Sequence, residues 1–344
     1  MSGFKFSVGP WNVHSGADSY GPPTRKEISL EEKIERFAEM GFSAVQFHDD
    51  DAVPNMNELS DEEIRGEARK VKALLDRYGM AAEFVAPRLW MDPHTADGGY
   101  LSTSEKDREF ALWRSYRSID IANELGTDML VLWLAREGSL CAESKSPVWE
   151  TRMLIEAIDK MLDYDPKIRV TIEPKPNEPV DRSICGTAGH VLGFASATKD
   201  PARVGVNVES AHATLAGLDP ACEMGMALAL GKLWTVHLND QNGIKFDQDK
   251  SFGVENLRGA FNQVRLLIEN DYGKNGEYVG LDVKAMRTTH DRESYKHLQN
   301  SLDIFKALEE KARRFDYAYQ KKCVENRDFE SLEMYTMRLL MGLE

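Results

Sequence analysis

At 344 residues the chain is too long for most small domains and suits one large barrel or two medium domains. Hydrophobic residues make up 42% and charged residues 29%, and no run has the apolar length that spans a bilayer, which argues against membrane residence. A formal net charge of −14 without a basic stripe argues against a nucleic-acid partner.

The opening "MSGFKFSVGPWNVHSG" has only Lys5 before its first apolar stretch, with no hydrophobic core region or small-residue cleavage site, so the expected compartment is the cytoplasm. Cys141, Cys185, Cys222 and Cys323 are scattered without a CxxC, a pattern that reads as reduced thiols and not as a disulfide framework or a thiolate zinc site.

Short β-like runs recur along the whole chain, each followed by a helical pattern. They are "FKFSVG" from Phe4, "SAVQFH" from Ser43, "AAEFVA" from Ala81, "DMLVLWL" from Asp128, "IRVTIE" from Ile168, "RVGVNVE" from Arg203, "LWTVHL" from Leu233 and "EYVGLDV" from Glu277. Among the intervening helices, Ser29 and Ser60 read as N-caps, and Gly41 and Gly126 as terminators. Eight such units predict a (β/α)8 TIM barrel over residues 1–314. Residues 315–344 then form a short helical tail, packed on the barrel or on a partner subunit. A doubly wound open sheet is weakened by the lack of GxGxxG after the first strand.

Barrel enzymes carry their chemistry at the C-terminal ends of the strands. Here those ends hold His48, Trp133, Glu173, Glu209, His237 and Asp282. In "IEPKPNEP", which follows the fifth run, Pro174, Pro176 and Pro179 forbid a helix and favour extended backbone, so Glu173 and Lys175 should face the same way. The pair reads either as a surface ion pair, worth little, or as a metal ligand beside a charge-stabilising lysine. Glu209 and His212, three apart at a strand end, can reach one point, and Asp247 and Asp249 share a face if their loop is extended. An oxygen-rich set with one or two imidazoles suits Mg²⁺, Mn²⁺ or Co²⁺. The bland reading, solvated loop acids, fits Asp247 and Asp249 taken alone.

From about Phe6 to Asp282 the sequence resembles the xylose isomerases. The matching motifs are "VGPWNV", "FHDDD", "WLAREG", "IEPKPNEP", "GVNVESAHATLAGL" and "GIKFDQD", in the family's order. The resemblance implies two divalent cations, Mg²⁺, Mn²⁺ or Co²⁺. Glu173, Glu209 and Asp282 would hold one that grips the sugar, and Glu209, His212, Asp247 and Asp249 a catalytic second. His48, oriented by Asp51, would assist ring opening, and Lys175 would bind the oxygen at C1. Trp11 and Trp133 would wall the site, although core packing is the commoner fate of a tryptophan. The implied reaction is an aldose–ketose interconversion by metal-assisted hydride shift, on D-xylose or a related aldose.

The match departs at four places. His237 stands where the family has a metal-binding aspartate, and a two-residue gap would put Asn239 there instead; the related L-rhamnose isomerases and keto-sugar 3-epimerases use histidine at that strand. Trp90 replaces an active-site phenylalanine and Ala86 a sugar-holding threonine. Tyr20 replaces the aromatic residue that reaches a neighbouring subunit's site. The tail is shorter than in typical members, and a homodimer or homotetramer is expected. Alternative readings are a metal-dependent keto-sugar epimerase or C-glycoside lyase, and a non-catalytic sugar-binding relative.

Overall fold

The computed structural model describes residues 3–18, 21–244 and 246–343. Eight parallel strands close into a barrel: β1 (Phe6–Val8), β2 (Ala44–His48), β3 (Ala81–Ala86), β4 (Met129–Trp133), β6 (Arg169–Glu173), β8 (Val204–Glu209), β9 (Leu233–Leu238) and β10 (Val279–Leu281). Each follows its predecessor around the ring, and β1 closes it by pairing with both β10 and β2. All eight predicted runs contain one of these strands. Two further strands, β5 (Gly138–Ser139) and β7 (Arg182–Ser183), pair antiparallel above the barrel mouth. Their pairing needs Gly138, at φ 148°, because a Cβ there would lie 1.9 Å from the Arg182 carbonyl oxygen.

One main helix follows each barrel strand: α1 (Leu30–Met40), α3 (Asp61–Arg77), α4 (Glu105–Leu125), α5 (Pro147–Tyr164), α6 (Ala188–Ala197), α8 (Pro220–Ala229), α9 (Leu257–Glu269) and α10 (Lys296–Arg313). Ser29 and Ser60 cap α1 and α3 as expected, the latter in a reciprocal box with Glu63. Gly41 and Gly126 end α1 and α4 in the left-handed conformation. The α1 face that carries Ile34 and Phe37 is fully buried against the barrel, and each such side chain contributes about 1.5–3 kcal/mol. Two short helices, α2 (Asp49–Ala52) and α7 (Ser210–Leu215), start directly from the ends of β2 and β8 and so stand at the mouth. After α10, helices α11 (Tyr317–Asn326) and α12 (Phe329–Met341) complete the tail, and α12 folds back so that Lys311 Nζ donates to the Leu339 carbonyl at 2.7 Å. No described helix is long and apolar enough to cross a membrane.

The barrel interior is closed by a polar floor. Gln46 donates to Ser7 Oγ at 3.1 Å and to Glu83 at 3.0 Å, and Thr235 donates to Glu83 at 2.7 Å. Because β3 and β9 are not neighbours in the ring, the Thr235–Glu83 bond crosses the inside of the barrel. Above the floor, the loops are tied together by buried charge. Glu137, after β4, accepts the backbone N–H groups of Gly99, Tyr100 and Leu101 at 2.8–3.0 Å. Arg25, in the β1 loop, donates to the carbonyl oxygens of Met286, Arg287 and Thr289 in the loop after β10.

His297, on α10, is nearly buried and bonds the Asn12 carbonyl at 2.8 Å. Burial, opposed by that bond, lowers its pKa from 6.5 to about 4. Between those values the unfolded chain takes up a proton that the folded chain refuses, so the stabilisation is complete above 6.5 and is lost as pH falls towards 4. Urea unfolding at pH 7.5 and pH 5 should therefore show wild type losing about 2 kcal/mol more than His297→Asn between the two conditions. Equal losses would show that His297 ionises freely in the folded protein.

Candidate active site

The mouth opens into a cleft of about 1300 Å³, and every strand-end residue singled out above lines it. Glu173, Glu209, His237 and Asp282 each bring one ligand atom within 4.8 Å of the other three, a separation that one small cation can bridge. Their supports come from neighbouring strands. Asn207 donates to Glu173 at 2.6 Å, Trp11 Nε1 donates to Asp282 at 2.9 Å, and His237 Nδ1 lies 2.9 Å from Glu173. Asn239 does not join this set. Its amide nitrogen donates to Glu209 at 2.8 Å, to Asp249 at 3.0 Å and to the Asp282 carbonyl, while its oxygen accepts from Ala211 N. The histidine thus stands among the candidate ligands and the asparagine braces them.

A second set shares Glu209. His212 sits in the first turn of α7, which brings its Nε2 to 3.2 Å from Glu209 and 3.1 Å from Asp247. Lys175 reaches the same aspartate at 2.8 Å and also bonds Glu178 at 3.0 Å. Glu173 and Lys175 do point into one cleft, as the prolines predict. Asp249 lies apart from the His212 set. Its carboxylate is bonded by Lys284 and Asn239, and its backbone has φ +44°, so the two aspartates of the loop turn to different partners.

Burial would push the Glu173 carboxyl up, but His237 and His212 outweigh it and hold it at about 2. Glu209 goes the other way: burial, reinforced by the charges of Glu173 and Asp247, lifts it well above the carboxylate range despite His212. Burial and Asp247 likewise raise Asp249 against the pull of Lys284. His237 and His212 are raised because their carboxylate neighbours outweigh burial. The imidazoles of His212 and His237, with Lys175 and Lys284, thus face the carboxylates as the cluster's positive counterparts. Asp247 Oδ1 and His237 Nε2 are buried and make no hydrogen bond among the described residues. The unpaired Asp247 Oδ1 and the crowding of Glu173, Glu209 and Asp282 around His237 Nδ1 fit a cation, and the oxygen-rich donors suit a hard divalent ion.

Opposite the acids stand the aromatic walls. Trp11 lies over the His48 ring at a centroid distance of 4.3 Å, Trp90 meets His48 edge-on at 5.1 Å, and Trp133 meets Trp90 at 4.5 Å. Lys175 Nζ lies 5.1 Å from the Trp133 ring centroid. His48 Nδ1 is 3.0 Å from Asp51. Tyr20 falls outside the described residues. Four participants lay outside the sequence expectation: Glu178, Lys284, Asn239 as a brace, and Arg88, whose guanidinium packs on His48. Glu178 is part of the "IEPKPNEP" motif itself; Arg88 and Lys284 carried no local signal.

A family model described as "Xylose isomerase-like TIM barrel" matches residues 34–273, more than half of the chain. Among solved structures, a D-tagatose 3-epimerase-like protein superposes with a TM-score of 0.62 at 20% identity, covering 89% of this chain and 99% of the other. A xylose isomerase domain protein from Alicyclobacillus acidocaldarius gives 0.59 at 19% identity, with coverage of 89% and 99%. The 3-keto-D-glucoside 4-epimerase YcjR from E. coli gives 0.59 at 14%, with 89% and 98%. At these identities the structural likeness speaks for the fold.

A cation entering this cluster must displace protons from Glu209 and the imidazoles. Its affinity should rise with pH, and calorimetry with Mn²⁺ in two buffers of different ionisation enthalpy should show net proton release. Glu209→Gln, which strips the shared carboxylate, should weaken every binding event seen in wild type. Binding without proton release would contradict this charge arrangement.

Proposed function

The chain belongs to the xylose isomerase-like TIM barrel family, and from that premise we propose that it is a divalent-metal-dependent sugar isomerase. It interconverts an aldose and a ketose, D-xylose and D-xylulose or a related pair. The observation that carries this reading is the pair of acid-and-imidazole sets that share Glu209, with Lys175 anchored on Asp247 between them and the open cleft. Glu173, Glu209, His237 and Asp282 would hold one cation, and Glu209, His212 and Asp247 another, with Asp249 at its edge. When bound, Mg²⁺, Mn²⁺ or Co²⁺ supplies Lewis acidity at adjacent sugar oxygens.

The protein's own groups do the rest. Burial would lower the Lys175 ammonium's pKa, but Asp247 and Glu178 raise it above the ordinary value, so it keeps its proton. It therefore serves as a fixed cation that donates to the sugar's terminal oxygen as negative charge develops there, and not as a base. Trp11, Trp90 and Trp133 exclude water along the opposite wall, which strengthens every charge inside. Trp11 also holds Asp282 through its indole N–H. His48 contacts the sugar from the side of the walls and assists ring opening.

Two observations favour a second reading, a keto-sugar epimerase: His237 stands in the first set, and several structurally similar proteins are named as epimerases. That chemistry needs a single cation flanked by two carboxylate bases. It would leave Lys175, His212 and Asp247 without a task.

Metal-stripped protein given back Mg²⁺, Mn²⁺ or Co²⁺ should convert at least one of D-xylose, D-glucose, L-rhamnose and D-ribose to its ketose. Lys175→Met should lower kcat about 100- to 1000-fold with metal content unchanged. Epimerisation of D-fructose or D-tagatose that survives Lys175→Met, with no aldose converted, would replace the isomerase reading by the epimerase one.

A further inference from the structure

Arg88 follows β3 at the mouth, and its guanidinium lies against three side chains of the turn after β2. Nε is 2.8 Å from Asp50 Oδ1, and Nη2 is 2.6 Å from His48 Nδ1 and 3.4 Å from Asp51 Oδ1. His48, Asp50 and Asp51 are close enough together to hold a cation, and the guanidinium takes that place. The same His48 Nδ1 is 3.0 Å from Asp51 Oδ2. One ring nitrogen thus meets a group that can only donate and a carboxylate that can only accept. It can satisfy one of them. A proton on Nδ1 serves Asp51 but points at the guanidinium; a bare Nδ1 accepts from Arg88.

Three observations decide for Arg88. Its contact is the shorter of the two. Asp51 Oδ2 already accepts the His48 backbone N–H at 3.1 Å, and Asp51 Oδ1 has Arg88, so the carboxylate is not left unpaired without the ring proton. A proton on Nδ1 would also set an N–H dipole head-on against a fixed positive charge at 2.6 Å. A tilted ring contact with Trp11 and an edge contact with Trp90 hold the ring in this orientation.

We propose that Arg88 is a positioning residue that fixes His48 as the neutral tautomer protonated on Nε2. The histidine then offers the cleft an N–H and not a lone pair. An Asp51–His48 pair acting alone would do the reverse, with the proton on Nδ1 and Nε2 free to accept. The catalytic meaning rests on the isomerase reading: on a cyclic aldose, His48 donates a hydrogen bond to the ring oxygen, the atom that gains charge as the ring opens, and does not draw a proton from a hydroxyl.

Long-range ¹H–¹⁵N spectra of the full chain labelled with ¹⁵N-histidine read the tautomer directly, with the His48 signals identified by their loss in His48→Gln. Wild type should show a protonated Nε2 and a bare Nδ1, and Arg88→Met should move the proton to Nδ1. A protonated Nδ1 in wild type overturns the proposal, and so does a pattern that Arg88→Met leaves unchanged. If Arg88→Met fails to fold, the wild-type spectrum still decides. On a sugar that the protein isomerises, Arg88→Met should lower kcat about 100-fold while KM changes little. The expected spectra with no aldose converted would support the tautomer and count against the isomerase reading alone.

Discussion

The arrangement of this molecule depends on burying several carboxylates together at the end of a barrel. Glu173, Glu209 and Asp249 are each almost inaccessible, and isolated charges in such surroundings cost several kcal/mol apiece. The chain meets that cost by drawing compensation from every direction: imidazoles from β9 and α7, ammonium groups from the loops after β6 and β10, and amides from β8 and the end of β9. Loops at the mouth are accordingly tied to one another by Arg25 and Glu137, since a cluster of this kind tolerates little movement of its members.

The fold was largely legible because parallel strands buried on both faces read as short apolar runs, and the intervening helices announce their ends with serine and glycine. Much of the candidate site was legible for a related reason. A charged residue at the end of an apolar run has few bland explanations, and Glu173, Glu209, His237 and Asp282 are all of that kind. What stayed hidden was pairing between distant segments. Arg88 looks like any loop arginine until β3 is set beside β2, which brings it to His48, 40 residues away in sequence. Lys284 meets Asp249 only because β10 closes next to β9. The β5–β7 clip spans two residues a side, too few for any periodicity.

The choice between His237 and Asn239 was open in the sequence for a simple reason: two residues apart on a strand, both face the same way. The strand ends at Leu238, which leaves His237 on the barrel wall and carries Asn239 into the turn, where its short amide reaches three acceptors. The longer and more basic side chain is left facing Glu173.

The polar floor has a consequence of its own. Ser7, Gln46, Glu83 and Thr235 are buried, and the cleft at the mouth shares no lining residue with the depression at the opposite end of the barrel. Among the described residues, then, the floor parts the cleft from the far end of the barrel, so under the proposed activity departing product and arriving substrate would contend for the passage at the mouth.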